Sequence, residues 1–189
     1  MAGAWQQIKA GALVTKRKID MNPKPQQAGS MCSSILVVGP SWIGDMVMAQ
    51  SLFMTLVRER PGVQIDVLAP DWCLAVIARM PQVRHAIRLP FGHGEAALAA
   101  RYRFGRELAG RKYDEAIILP NSWKSGLVPF AARIGRRTGW RGEMRYGLLN
   151  DLRHLDKRRL PLMIDRFNAL AFPASAVGGA EDFPAPHPY

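Results

Sequence analysis

The stretch Ile35-Leu36-Val37-Val38-Gly39-Pro40-Ser41-Trp42-Ile43-Gly44-Asp45-Met46 constrains the fold of this chain more than any other. Four consecutive aliphatic residues, three of them β-branched, predict a strand buried on both faces. A Gly/Pro/Ser turn follows, and an apolar-periodic segment then opens on an acidic residue. A strand that passes through a short loop into a helix leaves the first helical N–H groups unpaired and pointing outward, so ligands gather there. In a phosphate-gripping loop of the form G-x4-G-K-[ST], lysine follows the second glycine. Here that position is Asp45, flanked by Gly44. A carboxylate repels phosphate and suits proton abstraction, although an aspartate in a first turn also serves as a plain helix cap.

From Ile35 onward the pattern alternates. A helix is predicted from about Asp45 to Arg58, with Val47, Leu52, Phe53 and Leu56 on its buried side, ended by Arg60-Pro61-Gly62. Gln64–Leu68 reads as the second strand. Asp71 is placed to cap a helix running towards Met80, and a short strand lies near Ala86–Leu89. After the loop Phe91-Gly92-His93-Gly94 come a helix from Glu95 to about Ala109 and a buried strand, Glu115–Leu119. A helix from about Trp123 to Ile134, a short strand Arg136–Trp140 and a last helical segment, Leu162 to Phe172, complete the periodic region. Repeated β–α alternation predicts an α/β domain, a Rossmann-like parallel sheet with helices on both faces. Residues 1–34 lack periodicity and read as a disordered extension, with Met31 a candidate start of translation, while 173–189 are Pro/Ala/Gly-rich and read as linker or tail.

At 189 residues the chain can bury one ordinary core. No apolar run approaches the roughly 20 residues of a membrane span, and Ala10–Val14 is too short for a secretory signal. A cytoplasmic protein is the expectation. Two distant cysteines and four scattered histidines support neither a disulfide framework nor a metal site. The formal charge of +11 is concentrated in the periodic region. Residues 1–34 carry five basic residues against one acidic, and 173–189 carry two acidic and no basic residues, which leaves +9 on residues 35–172. Such a field predicts an anionic partner, whether nucleic acid, a membrane surface or a phosphorylated substrate, or else a basic solubility surface.

Three polar loops fall beyond strand ends: 39–45, 91–94 and 120–124. Asn121-Ser122-Trp123-Lys124-Ser125 brings an amide, hydroxyls and an ammonium to a helix start, which suits an anionic or sugar ligand. Arg136-Arg137-Thr138-Gly139-Trp140-Arg141-Gly142-Glu143-Met144-Arg145-Tyr146 mixes arginine forks with aromatic rings and glycines, the chemistry of a loop that approaches a phosphate, carboxylate or sugar. A dinucleotide site is disfavoured because Gly39 and Gly44 lack the G-x-G-x-x-G spacing. A basic nucleic-acid-binding module is the alternative reading, prompted by charge alone, since no groove-reading motif is present.

Ser41–Met46, Asp66–Cys73, Leu119–Ser125 and Arg137–Asp151, in that order, resemble the N-terminal half of the family 9 glycosyltransferases that act as ADP-heptose:lipopolysaccharide heptosyltransferases of the second type. The resemblance covers roughly Ile35 to Phe172. It implies the N-terminal, acceptor-binding domain of a GT-B fold and inverting transfer of heptose from ADP-heptose to the inner-core heptose of lipopolysaccharide. No cofactor and no metal are implied at the catalytic centre. Asp45 matches the family's general base. Ser41, Gly44, Asn121, Ser122, Lys124, Arg137, Arg141 and Arg145 are the implied substrate-binding residues, the basic ones facing acceptor phosphates and Kdo carboxylates. The partners implied are Kdo-lipid A bearing its first heptose, ADP-heptose held by a second domain, and the cytoplasmic face of the inner membrane, with no nucleic acid. The chain stops at Tyr189, where that second domain is due, so it is expected to be a truncated acceptor half that transfers heptose negligibly alone.

Overall fold

The computed structural model describes residues 33–92 and 96–176, all within one unit, Met31–Tyr189. The predicted N-terminal extension to residue 32, with Met31, lies outside the described residues, as do His93, Gly94, Glu95 and the tail beyond 176.

Six strands form one sheet: β1 Ser34–Val38, β2 Gln64–Ala69, β3 Val83–Arg88, β4 Glu115–Ile118, β5 Arg136–Trp140 and β6 Asp151–Arg153. Every neighbouring pair is parallel, in the order β3-β2-β1-β4-β5-β6. β1 occupies the middle, with Ile35 opposite Ile65 on one side and Glu115 on the other. Covered on both faces, it reads as an unbroken aliphatic run rather than an alternation. Ile35 and Val37 join one core with α1 (Ile43–Glu59), α2 (Asp71–Ile77) and α5 (Met163–Asn168). Leu36 and Val38 join a second core with α3 (Leu98–Leu108) and α4 (Leu127–Ala131). The expected parallel sheet with helices on both faces is therefore present. The close approach of α3 to α4 runs over Gly105, where a Cβ would lie 2.5 Å from the Val128 carbonyl oxygen and 2.6 Å from the Ala131 Cβ.

Several local expectations are corrected. Val47 is exposed, and Met46 and Ala49 take the buried side of α1 beside Leu52, Phe53 and Leu56. Asp71 caps nothing: Pro70 is the residue before α2, and the Asp71 carboxylate instead meets Arg88 at 3.4 Å on the surface. The single helix predicted from Trp123 to Ile134 divides into a 3-10 turn, Trp123–Gly126, and the short α4. Leu162–Phe172 similarly becomes α5 followed by a 3-10 turn, Ala169–Ala171. The third strand begins earlier than predicted, at Val83, and β6 is an edge strand that the pattern did not announce.

Candidate functional site at the carboxyl edge of the sheet

The strand order reverses between β1 and β4, whose connections leave in opposite directions. Open parallel sheets bind ligands in the crevice that opens beyond the carboxyl ends at such a point. Here the crevice is bordered by the loop after Val38 and the loop after Ile118.

The first loop is pinned from both sides. The Gly39 N–H donates to the Leu68 carbonyl at 2.9 Å. The Ser41 carbonyl accepts from the Trp72 indole N–H at 2.7 Å and from the Cys73 thiol at 3.7 Å. Trp42 is the residue before α1 and its side chain makes no cap bond; its carbonyl accepts from the Met46 N–H at 2.9 Å. Asp45 therefore stands at the third helical position, half-buried, and its carboxylate meets no hydrogen-bond or ion-pair partner among the described residues. Gly44 beside it is exposed, and a Cβ there would meet nothing within 4 Å. No internal packing requires that glycine.

The second loop is held by its neighbour after β5. Gly142 lies so close to Asn121 that a Cβ would collide with the Asn121 carbonyl and stand 2.8 Å from its Cβ. The Glu143 N–H donates to that carbonyl at 3.1 Å, and the Glu143 carboxylate accepts from the Trp123 N–H at 3.0 Å. The glycines of this region are thus explained by strand and loop packing. The N–H groups anticipated for a ligand at the Trp123 turn are partly taken by the protein's own Glu143, a residue that the sequence reading passed over. Asn121 is exposed, while Ser122 and Lys124 are half-buried. Arg141 is exposed, with its guanidinium 5.8 Å from the centre of the Tyr146 ring.

Two of the implied ligand contacts are not placed at the crevice. Arg145 is 1% exposed: its guanidinium donates to the Pro120 carbonyl at 2.6 Å, to the Ser125 hydroxyl at 3.4 Å and to the Trp140 carbonyl. Burial without a carboxylate partner pushes its pKa down, partly countered by the charge of Glu143. Arg137 is the second residue of β5, about 10 Å along the strand from its carboxyl end at Trp140. It donates to the Leu148 carbonyl at 2.6 Å and the Ile134 carbonyl at 2.5 Å, and its guanidinium lies over the Phe130 ring at 5.6 Å. Ser41, Gly44, Asp45, Asn121, Ser122, Lys124 and Arg141 all lie on the loops of one edge.

Exposed Trp42, Trp72, Met144 and Tyr146 surround this edge, an apolar rim unusual for a lone charged site. Trp72, within the Asp66–Cys73 motif, stands at this edge with its indole tied to the first loop. Deeper in the sheet, Asp151 receives Arg136 at 3.0 Å, Arg153 at 2.9 Å and the Thr138 hydroxyl at 3.0 Å. Burial alone would raise its pKa, but these donors win and hold it at about 2. That network locks β6 to β5.

Residues 101–189 match the model of glycosyltransferase family 9 (heptosyltransferase). Lipopolysaccharide heptosyltransferase 2 of Salmonella typhimurium is 54% identical over 152 residues, which are 80% of this chain and 44% of that protein. Over its second half, therefore, the chain is similar to glycosyltransferase family 9. Lipooligosaccharide heptosyltransferase 2 of Haemophilus ducreyi is 53% identical over 155 residues, 82% of this chain and 44% of the relative. Among solved structures, Escherichia coli ADP-heptose lps heptosyltransferase II superposes with a TM-score of 0.75 at 50% identity, over 81% of this chain and 44% of that one. A family 9 glycosyltransferase from Veillonella parvula shares the fold, with a TM-score of 0.66 at 15% identity, over 84% of this chain and 46% of that one. The chain thus spans less than half the length of these relatives. The rival of a nucleic-acid-binding module is not favoured by any of these matches.

Proposed function

We propose that this chain supplies the acceptor-binding half of a lipopolysaccharide heptosyltransferase of the second type, with Asp45 as general base. The observation that carries the reading is the position of Asp45: at the switch point of the sheet, in the first turn of α1, half-buried and unpaired among the described residues. A cap role would require a side-chain bond to the helix start, and α1 has none.

In the proposed reaction the acceptor heptose hydroxyl loses its proton to the Asp45 carboxylate as its oxygen bonds to the anomeric carbon of the donor. The bond from that carbon to the diphosphate breaks on the opposite face, which inverts the centre and releases ADP. A positioned base contributes a factor of about 10²–10⁴, and holding the two sugars in line contributes more. Gly44 leaves room for the sugar to approach, and Ser41, Asn121 and Ser122 offer hydrogen bonds to its hydroxyls. Lys124 and Arg141 face the phosphates and carboxylates of the inner core. The chemistry as proposed uses no metal or cofactor. ADP-heptose is proposed to sit mainly against the portion that the relatives carry beyond the matched 44%. The basic surface suits work at the cytoplasmic face of the inner membrane, where such an acceptor is borne.

The test is Asp45→Asn in this chain joined to the unmatched half of the 54%-identical relative. The reading expects turnover to fall at least a hundredfold with acceptor binding and unfolding temperature retained. Survival of turnover within a few-fold of the parent would end it.

A further inference from the structure

Away from the carboxyl edge, α3, α4 and the start of β5 enclose an open pocket of about 370 Å³ lined by Tyr102, Phe130, Arg133, Ile134 and Arg137, among others. Its lining contains two guanidiniums and no carboxylate. Arg137 is fixed there by carbonyls and by the Phe130 ring, and burial without a counter-charge pushes its pKa down. Arg133 makes no ion pair with any described residue. It ends α4 with φ at +56°, the left-handed region that glycine enters freely and arginine does not. Its backbone is ordinary helix-ending geometry, so the side chain, not the turn, is the reason for an arginine.

The surface around the pocket is both apolar and basic. Leu98 and Tyr102 lie one turn apart on α3 and are about half exposed, as is Phe130 on α4. Arg106, one further turn along the same face, is exposed and also lacks an ion pair among the described residues. The single acid of α3, Glu107, lies about 140° around the helix from Tyr102. Rings and leucine beside uncompensated arginines match the boundary of an anionic bilayer, where apolar groups enter the headgroup layer and arginines meet phosphates. A free phosphate would engage the guanidiniums and leave Leu98, Tyr102 and Phe130 without a role.

We infer that this α3–α4 face, centred on Arg133 and Arg137, docks the chain on anionic phospholipid headgroups. The inference rests on the proposed membrane-borne acceptor for its setting, but its geometry is independent of Asp45. The face lies at the amino end of β5, so docking there leaves the carboxyl edge open.

The test is flotation of the purified chain with vesicles of phosphatidylglycerol and phosphatidylethanolamine, against vesicles of phosphatidylcholine alone. The parent is expected to bind the anionic vesicles, more weakly as salt rises. Arg133→Gly, which suits the left-handed backbone and retains or raises the unfolding temperature, weakens partitioning about fivefold, the effect of one cation at an anionic surface. Adding Arg106→Gln weakens it about fivefold again, while Arg79→Gln, in the turn after α2, changes it less than twofold. Tyr102→Ser with Phe130→Ser weakens binding at every salt concentration. A parent that ignores anionic vesicles would overturn both this inference and the membrane setting. A parent that binds while the Arg133 and ring variants bind equally well overturns this face alone. Displacement from vesicles by inorganic phosphate at matched ionic strength also overturns it, in favour of a soluble phosphate ligand.

Discussion

Replacing Arg145 by alanine separates two roles that the sequence alone leaves merged: a ligand-gripping arginine and an internal clamp. The guanidinium makes two strong bonds to backbone carbonyls, Pro120 and Trp140, and a long one to the Ser125 hydroxyl. Hydrogen bonds to charged groups contribute about 1.5–3 kcal/mol each, so the two strong ones amount to about 3–6 kcal/mol. Against this stands the desolvation of a guanidinium without a carboxylate, which the substitution relieves and which returns about 1–2 kcal/mol. A net loss of about 3 kcal/mol is expected, out of a total stability of about 5–15 kcal/mol. With an m-value near 2 kcal/mol/M this lowers the urea midpoint by about 1.5 M. Amide exchange should accelerate in residues 119–126 and 141–149, because the clamp joins those loops. Arg145→Lys restores the charge but reaches fewer of the acceptors, so it rescues only part of the loss. An Arg145→Ala chain with an unchanged midpoint, or a lysine variant indistinguishable from the parent, refutes the clamp and returns this residue to the ligand side.

Gly44→Ala, whose Cβ meets nothing, is expected to stabilise the chain by up to about 1 kcal/mol in urea unfolding, while raising the KM for acceptor in the joined enzyme. Gly142→Ala forces a Cβ into Asn121 and is expected to destabilise by about 1–3 kcal/mol. Asp151 is held at about 2 from an ordinary value of 3.8. A depressed carboxylate contributes stability that is complete above the unfolded value and lost as pH falls towards the folded one. Urea titrations should therefore show about 2 kcal/mol disappearing between pH 4 and pH 2, a loss absent from Asp151→Asn, which is less stable at pH 7.

What the amino-acid pattern revealed of the fold follows from burial. β1 from Ile35 and β4 from Ala116 are enclosed on both faces, so aliphatic runs fit there, and such runs are visible without coordinates. β6 was invisible because its three residues, Asp151-Leu152-Arg153, are held by ion pairs and by β5 rather than by apolar alternation. The helix expected after Trp123 broke in two where Gly126 passes beneath Leu148 and Leu149, a long-range contact that no local periodicity encodes. At the site, Asp45 was legible because a strand, a glycine turn and a helix are sequential. The arginines were not. Arg141, Arg145 and Arg137 look alike in sequence, and only the carbonyls that two of them meet, supplied by residues 120, 134, 140 and 148, separate clamp from contact.

The interlock of Gly142 with Asn121 bears on how this scaffold can be re-engineered or diversified. Because one segment rests directly on the other's backbone, neither tolerates replacement by itself. A graft intended to alter what this edge binds must transplant residues 119–126 and 141–149 as a single cassette, or the recipient will inherit a collision instead of a new preference.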